Sequence, residues 1–204
     1  MKKKITCLVL ALIMCMSFGT SAIGMEYQEM GSLAGNLNLY EDLVRDTFSP
    51  DDVRALLAVQ NARTAPASNE LQTYTITDAD IEKFYDDVSA IAASSSLEDY
   101  FSRSFWQFRY NDYYGEEIVS LTLTPTEYMK SHTQAEEVAA VWVLVKARHG
   151  HSQYWENEVS LERQFSCHAM GEQWLAGDVG DWDLEPIRPA VGLALVIAAE
   201  CNPV

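Results

Sequence analysis

The chain has 204 residues, 48% hydrophobic and 11% aromatic, which is enough to bury a sizeable core in one domain or two small ones. With 30 acidic against 14 basic residues its formal net charge is −16, so nucleic acid and anionic membrane are poor partners. The same surface favours solubility, or a cationic peptide or basic protein.

The first element is a leader. MKKK is followed by the apolar run ITCLVLALIMCMSFG and then by the small residues Thr20 and Ala22, the order of a secretory signal peptide. The run is shorter than the roughly 20 residues needed to span a bilayer. Cleavage is expected after Ala22 or else after Gly24, giving a signal peptide over residues 1–22 and no membrane attachment afterwards. A lipid anchor would need a small residue before the cysteine, and Met14 precedes Cys15. Cleavage removes Lys2, Lys3 and Lys4, which makes the remainder still more acidic, and it removes Cys7 and Cys15.

Two cysteines then remain, Cys167 and Cys201, and export favours their oxidation to one disulfide. A closed loop of about 34 residues is worth roughly 4 kcal/mol in the chain-entropy description. The competing reading is a nucleophilic Cys167 beside His168, but neighbours in sequence rarely place a thiolate and its base correctly.

Residues 23–100 read as a helical N-terminal region. Ser49 and Pro50 open PDDVRALLAVQNA as N-cap and first-turn proline, and Thr77 with Asp80 resembles a capping box before IEKFYDDVSAIAA. RTAPASNE between them is a loop. ASSS before LEDYF marks a break and a new helix start.

Residues 101–204 change character. SFWQFRY and EEIVSLTLT alternate around NDYYG as an antiparallel hairpin that Pro125 ends. QAEEVAAVWVLVKARH is a helix, with Thr133 and Glu136 at capping-box spacing and Gly150 as its stop. It is apolar on nearly every side, so it should be buried between layers. His149, His151 and Glu156 in HGHSQYWENE are the nearest approach to metal ligands, but the HExxH spacing is missing, and no metal or other cofactor is assigned.

SLERQFSCHAMG is a short helix with Leu161, Phe165, His168 and Ala169 on one side. His168 is either a core histidine or a general base that titrates near neutrality. In DWDLEPIRP, residues 181–189, Glu185 and Arg188 each precede proline, which pushes the backbone towards extended geometry. A polyproline-like strip would put Trp182, Glu185 and Arg188 on one face and dock Leu184, Ile187 and Ala190 on the core. Its repeat of about 9 Å would keep Glu185 from Arg188. The triad then either pins the strip, Arg188 meeting a helix end or an acid such as Glu162, or faces a ligand as a binding surface. The run AVGLALVIAA alternates at Val191, Leu193, Leu195 and Ile197 and reads as a strand.

ERQFSCHA, WDLEPIRP and AECNPV together resemble the C-terminal domain of a family of small secreted bacterial proteins classed as a domain of unknown function. The likeness rests on Gln164, Phe165, Cys167 and His168, then Leu184, Glu185, Pro186, Arg188 and Pro189, then Cys201, Asn202 and Pro203. The family pattern has tryptophan in place of Ile187 and asparagine in place of Asp183. The resemblance implies export and a two-cysteine framework, but no reaction.

The expected fold is α+β: N-terminal helices packed on a small antiparallel sheet, with a central buried helix and one disulfide, Cys167 to Cys201. Function divides two ways. The favoured class is a secreted, non-catalytic extracellular module whose Trp182, Glu185 and Arg188 meet an unknown protein, peptide or cell-envelope component. The alternative is a small secreted hydrolase using His168 with Glu185 or Glu162, Arg188 stabilising an anion.

Overall fold

The computed structural model describes residues 37–64, 75–171 and 180–204. The leader over residues 1–22 and the loop over residues 65–70 lie outside the described residues, as do residues 23–36.

Three helices form the first layer: α1 Leu37–Thr47, α2 Pro50–Thr64 and α3 Asp78–Ser94. Their starts are chemically specified. Ser49 N and Oγ donate to Asp52 Oδ2 at 3.0 and 2.6 Å while Asp52 N donates back to Ser49 Oγ. Thr77 and Asp80 make the same reciprocal box at the head of α3. Such boxes satisfy N–H groups that a helix start leaves orphaned. Tyr40, Val44, Phe48, Phe84 and Val88 bury the facing sides, with Phe48 edge-on to Phe84 at 6.2 Å.

A one-turn helix, α4 Leu97–Tyr100, leads into β1 Phe101–Asn111, which returns as β2 Glu116–Pro125. The turn is held by Asn111, whose Oδ1 accepts from the N–H groups of Tyr113 and Tyr114 at 3.0 and 3.3 Å. Gly115 closes it at φ +71, a left-handed conformation that glycine adopts at little cost. The sheet has three antiparallel strands in the order β1-β2-β3, β3 being only Trp182–Leu184. Leu121 faces Leu184 and Leu123 faces Trp182, and all four are buried on the helical side.

After the short α5 Glu127–Ser131, α6 Ala135–His149 runs through the middle, buried without a break from Val138 to Val145. Its start differs from expectation. The N-cap is Gln134 and makes no side-chain cap, so the Thr133 and Glu136 box does not form. Gln60 of α2 supplies the acceptor instead, bonding the N–H of Ala135, and donates to Glu136 Oε2 at 3.4 Å. Gly150 ends α6 in right-handed geometry, its N–H donating to Lys146 O at 2.8 Å.

α7 Glu158–Gly171 packs beside α6, and α8 Leu193–Ala198 packs on α7. α8 overturns the strand expected over residues 190–199. Alternation would bury Leu195, which is 63% exposed, whereas Leu193 and Val196, three residues apart, are buried as a helix requires. The alanines permit the helix, and no fourth strand is present among the described residues to pair with one. The fold is therefore α+β: eight helices among the described residues, a three-stranded antiparallel sheet and one disulfide. Leu37–Val204 cluster as one unit, so the helical region and the disulfide-linked part share a core.

Candidate functional site

The disulfide joins Cys167 of α7 to Cys201, with 5.4 Å between their Cα atoms. To reach it, the chain leaves α8 through a Schellman end: Cys201 N donates to Val196 O at 2.9 Å and Glu200 N to Ile197 O at 3.0 Å. Glu200 and Cys201 sit at φ +52 and +65, where glycine is usual. Two such side-chain-bearing residues in a row cost on the order of 1 kcal/mol each, so surrounding contacts must hold them.

One contact to this end of the chain, from Arg188 to Pro203 O, comes from residues 181–189, whose geometry corrects the extended strip. Only residues 182–184 are strand. At Glu185 the chain turns, Arg188 N donating to Glu185 O at 3.1 Å, so the two side chains meet as an ion pair between Arg188 Nε and Glu185 Oε2. The 9 Å repeat does not occur. The faces differ as well: Trp182 and Glu185 are fully buried and Arg188 is 5% exposed, and of the apolar stripe Leu184 is buried as expected whereas Ile187 and Ala190 face out. The expected binding triad is inside the molecule. Arg188 meets Glu185 rather than Glu162, and its Nη1 donates to Pro203 O at 3.2 Å, so it pins the strip to the end of the chain.

Buried charge must be paired. Glu185 Oε2 and Arg188 Nε meet as an ion pair and have no hydrogen-bond partner among the described residues, while the neighbours serve the other atoms. Glu185 Oε1 accepts from Arg109 Nε at 3.2 Å and Asn111 Nδ2 at 3.3 Å, both from β1. Its backbone N–H donates to Gln164 Oε1 at 2.9 Å, and its carbonyl accepts from Gln164 Nε2 at 3.0 Å. Asn157, left-handed at φ 51 at the head of α7, donates through Nδ2 to the carbonyls of Pro186 and Arg188 at 3.0 and 2.6 Å. On the sheet, Arg109 Nη1 donates to Asp183 Oδ2 at 2.6 Å, and Asp183 Oδ1 accepts from Thr122 at 2.6 Å. Arg109, Asn111 and Asn157 were missed in the sequence. The visible trace of the first two was the polar residues at 107, 109 and 111 alternating with aromatics on β1.

The proposed acid–base partners are not brought together. His168 stacks on Trp182 at 5.7 Å with nearly parallel rings, and burial, assisted by Arg188, lowers its pKa to about 4. Glu162 is tied elsewhere, accepting from Ser166 Oγ at 2.7 Å and facing Arg163 at 3.1 Å. Burial raises its pKa despite Arg163 and Ser166. No hydrogen bond or ion pair joins His168 to Glu185 or Glu162 among the described residues. His149 is half-buried, its pKa down to about 4, chiefly from desolvation, while His151 and Glu156 lie in the open. Among the described residues, no three His, Cys, Asp or Glu side chains are grouped to hold a metal.

Residues 103–204 match the family described as "Protein of unknown function (DUF2599)". The chain belongs to the DUF2599 family. Its matched span starts in β1 and takes in the hairpin, α6, α7, the pinned turn and the disulfide. No curated protein and no solved structure matches the chain.

Proposed function

We propose that this DUF2599 protein is exported through its N-terminal leader and acts outside the cytoplasm as a non-catalytic binding module for a protein, peptide or cell-envelope component. The leader composition and an oxidised cysteine pair support export. The secreted-family pattern read from the Cys-His, Leu-Glu-Pro-x-Arg-Pro and Cys-Asn-Pro segments is part of the same proposal. Its residues have structural work: Cys167 and Cys201 crosslink, Glu185 and Arg188 pair, Pro203 accepts from Arg188.

One observation carries the binding reading. The acids and base considered for a hydrolase, Glu162, Glu185 and His168, are buried and not joined to one another, whereas the hairpin leaves in the open, beside the acids of its tip, the rings of Phe108, Tyr110 and Tyr113, all more than 60% exposed. A cluster of exposed rings is a common recognition surface. Titrating the purified protein against peptidoglycan, teichoic acid and extended peptides, with parallel assays on ester, peptide and glycoside substrates, should give saturable binding without turnover. Turnover that His168→Ala abolishes at an unchanged melting temperature would overturn the reading in favour of the hydrolase. Fusing residues 1–24 to a reporter active only after export tests localisation, and retention inside the cell removes that half.

A further inference from the structure

Among the described residues the sheet is open on the β1 side. β2 has a strand on each flank, but β1 is a terminal strand of 11 residues, and every second residue of such a strand turns its N–H and C=O outward. No other backbone bonds that outer edge among the described residues. The opposite edge is only the three residues of β3.

Edge strands are normally guarded by proline, lysine, bulges or charges turned onto the edge. β1 contains neither proline nor lysine. Its one irregularity lies between Phe101 and Arg103, leaving residues 104–111 in continuous register. Both of its arginines are spoken for on the sheet face, Arg103 by Asp181 at 3.4 Å and Arg109 by Asp183 and Glu185. The regular stretch is eight residues, about the length of a strand that adds to a sheet.

The side chains along this edge state what would fit. Phe108 and Tyr110 lie on one face, 61% and 63% exposed, and Tyr110 pairs across the hairpin with Glu117. Asp112, Glu116 and Glu117 at the tip are exposed and form no ion pair among the described residues. A cation on an added strand would meet an aromatic face and a free carboxylate together. A second copy is disfavoured because it brings another chain of net charge −16 to the same place.

We infer that the outer edge of β1 receives an extended basic segment of a partner protein as a fourth strand, with alternate Lys or Arg side chains lying over Phe108 and Tyr110 towards the acids of the hairpin tip. This rests on the binding-module reading and adds to it the surface and the partner's chemistry.

The probe is a capped octapeptide of alternating arginine and threonine, beside a glutamate–threonine peptide and an arginine–threonine peptide N-methylated at every second amide along its bonding edge. Calorimetry and amide exchange on the whole protein give the readout. The arginine peptide should bind and slow exchange at alternate residues of β1 by about tenfold or more, and N-methylation should weaken binding by about tenfold. Y110A and E117K should each weaken it by about fivefold at an unchanged melting temperature, both side chains being exposed. Failure of the arginine peptide to bind, equal binding of the glutamate or N-methylated peptide, or binding that leaves β1 exchange unchanged overturns the inference. So does concentration-dependent protection of β1 in the protein alone, which assigns the edge to a second copy. A ligand from the earlier panel that binds without touching β1 removes the edge and spares the module. Turnover lost in His168→Ala removes the module itself.

Discussion

The N-terminal helices and the C-terminal clamp are stabilised in opposite ways. α1 to α3 bury aliphatic and aromatic faces and keep the ion pairs among themselves at the surface, as in Arg45 to Glu82 at 2.8 Å and Arg54 to Asp78 at 3.0 Å, while Asp52 reaches a largely buried partner, Arg163 of α7. Around α7, β3 and α8 the charges are inside, each bound to particular partners, and a covalent bond closes the region. Apolar contact is nondirectional and tolerates small shifts, whereas buried polar contact fails when one member is lost. Single substitutions should therefore have very unequal effects in the two regions.

The largest expected effect is on the crosslink. Replacing Cys167 and Cys201 together by alanine should cost about 4 kcal/mol in urea denaturation. A loss below about 1 kcal/mol would mean that the polar pins alone hold the clamp. Glu185→Gln comes next. It leaves Arg188 and Arg109 facing a neutral amide and should cost about 3 kcal/mol by the same measurement, the usual penalty for stranding a buried charge. An unchanged midpoint would remove the distinction between the regions.

Acid should also strike the clamp. His168, with its folded pKa lowered to about 4 against about 6.5 unfolded, is neutral in the native state, so the unfolded chain takes up the proton first. Its contribution is complete above pH 6.5 and is lost as pH falls towards 4, on the order of 2 kcal/mol between pH 7 and 4.5. His149 acts in the same direction, while buried Glu162, whose pKa is raised, opposes both by favouring the protonated side. His168→Phe should flatten the fall of melting temperature across this window, and a curve parallel to the parent would refute the assignment. The smallest effect belongs to the other region: Arg54→Ala should move the midpoint by less than about 0.5 kcal/mol, because its pairs with Asp51 and Asp78 are solvent-exposed.

Local features were legible in the sequence. The hairpin showed in its alternation and its Asn-to-Gly turn, α6 in its unbroken apolar run, and the heads of α2 and α3 in Ser49 and Thr77. Contacts across long separations were not. The cap of α6 comes from Gln60, 75 residues away, and Glu185 finds Arg109 at a separation of 76. No spacing rule reports such partners. The prolines after Glu185 and Arg188 favour an extended chain, yet Pro186 sits within a turn that closes on Arg188 N, and that turn takes Glu185 and Arg188 inward and Ile187 outward while Leu184 stays buried. In the last helix the alternating large residues suggested a strand, but the neighbour needed to complete a ladder is not there among the described residues.

Ring contacts run from the surface to the crosslink: Phe108 to Tyr154, Tyr154 to Trp106, Trp106 to Trp155, Trp155 to Trp142, then Phe165, Trp182 and His168, the last beside Cys167. Four of the five tryptophans lie on that path, so excitation absorbed by one can migrate to the next, towards the helix that carries the crosslink. The native state thus carries its own optical gauge, and unfolding the chain should change its emission without any added dye.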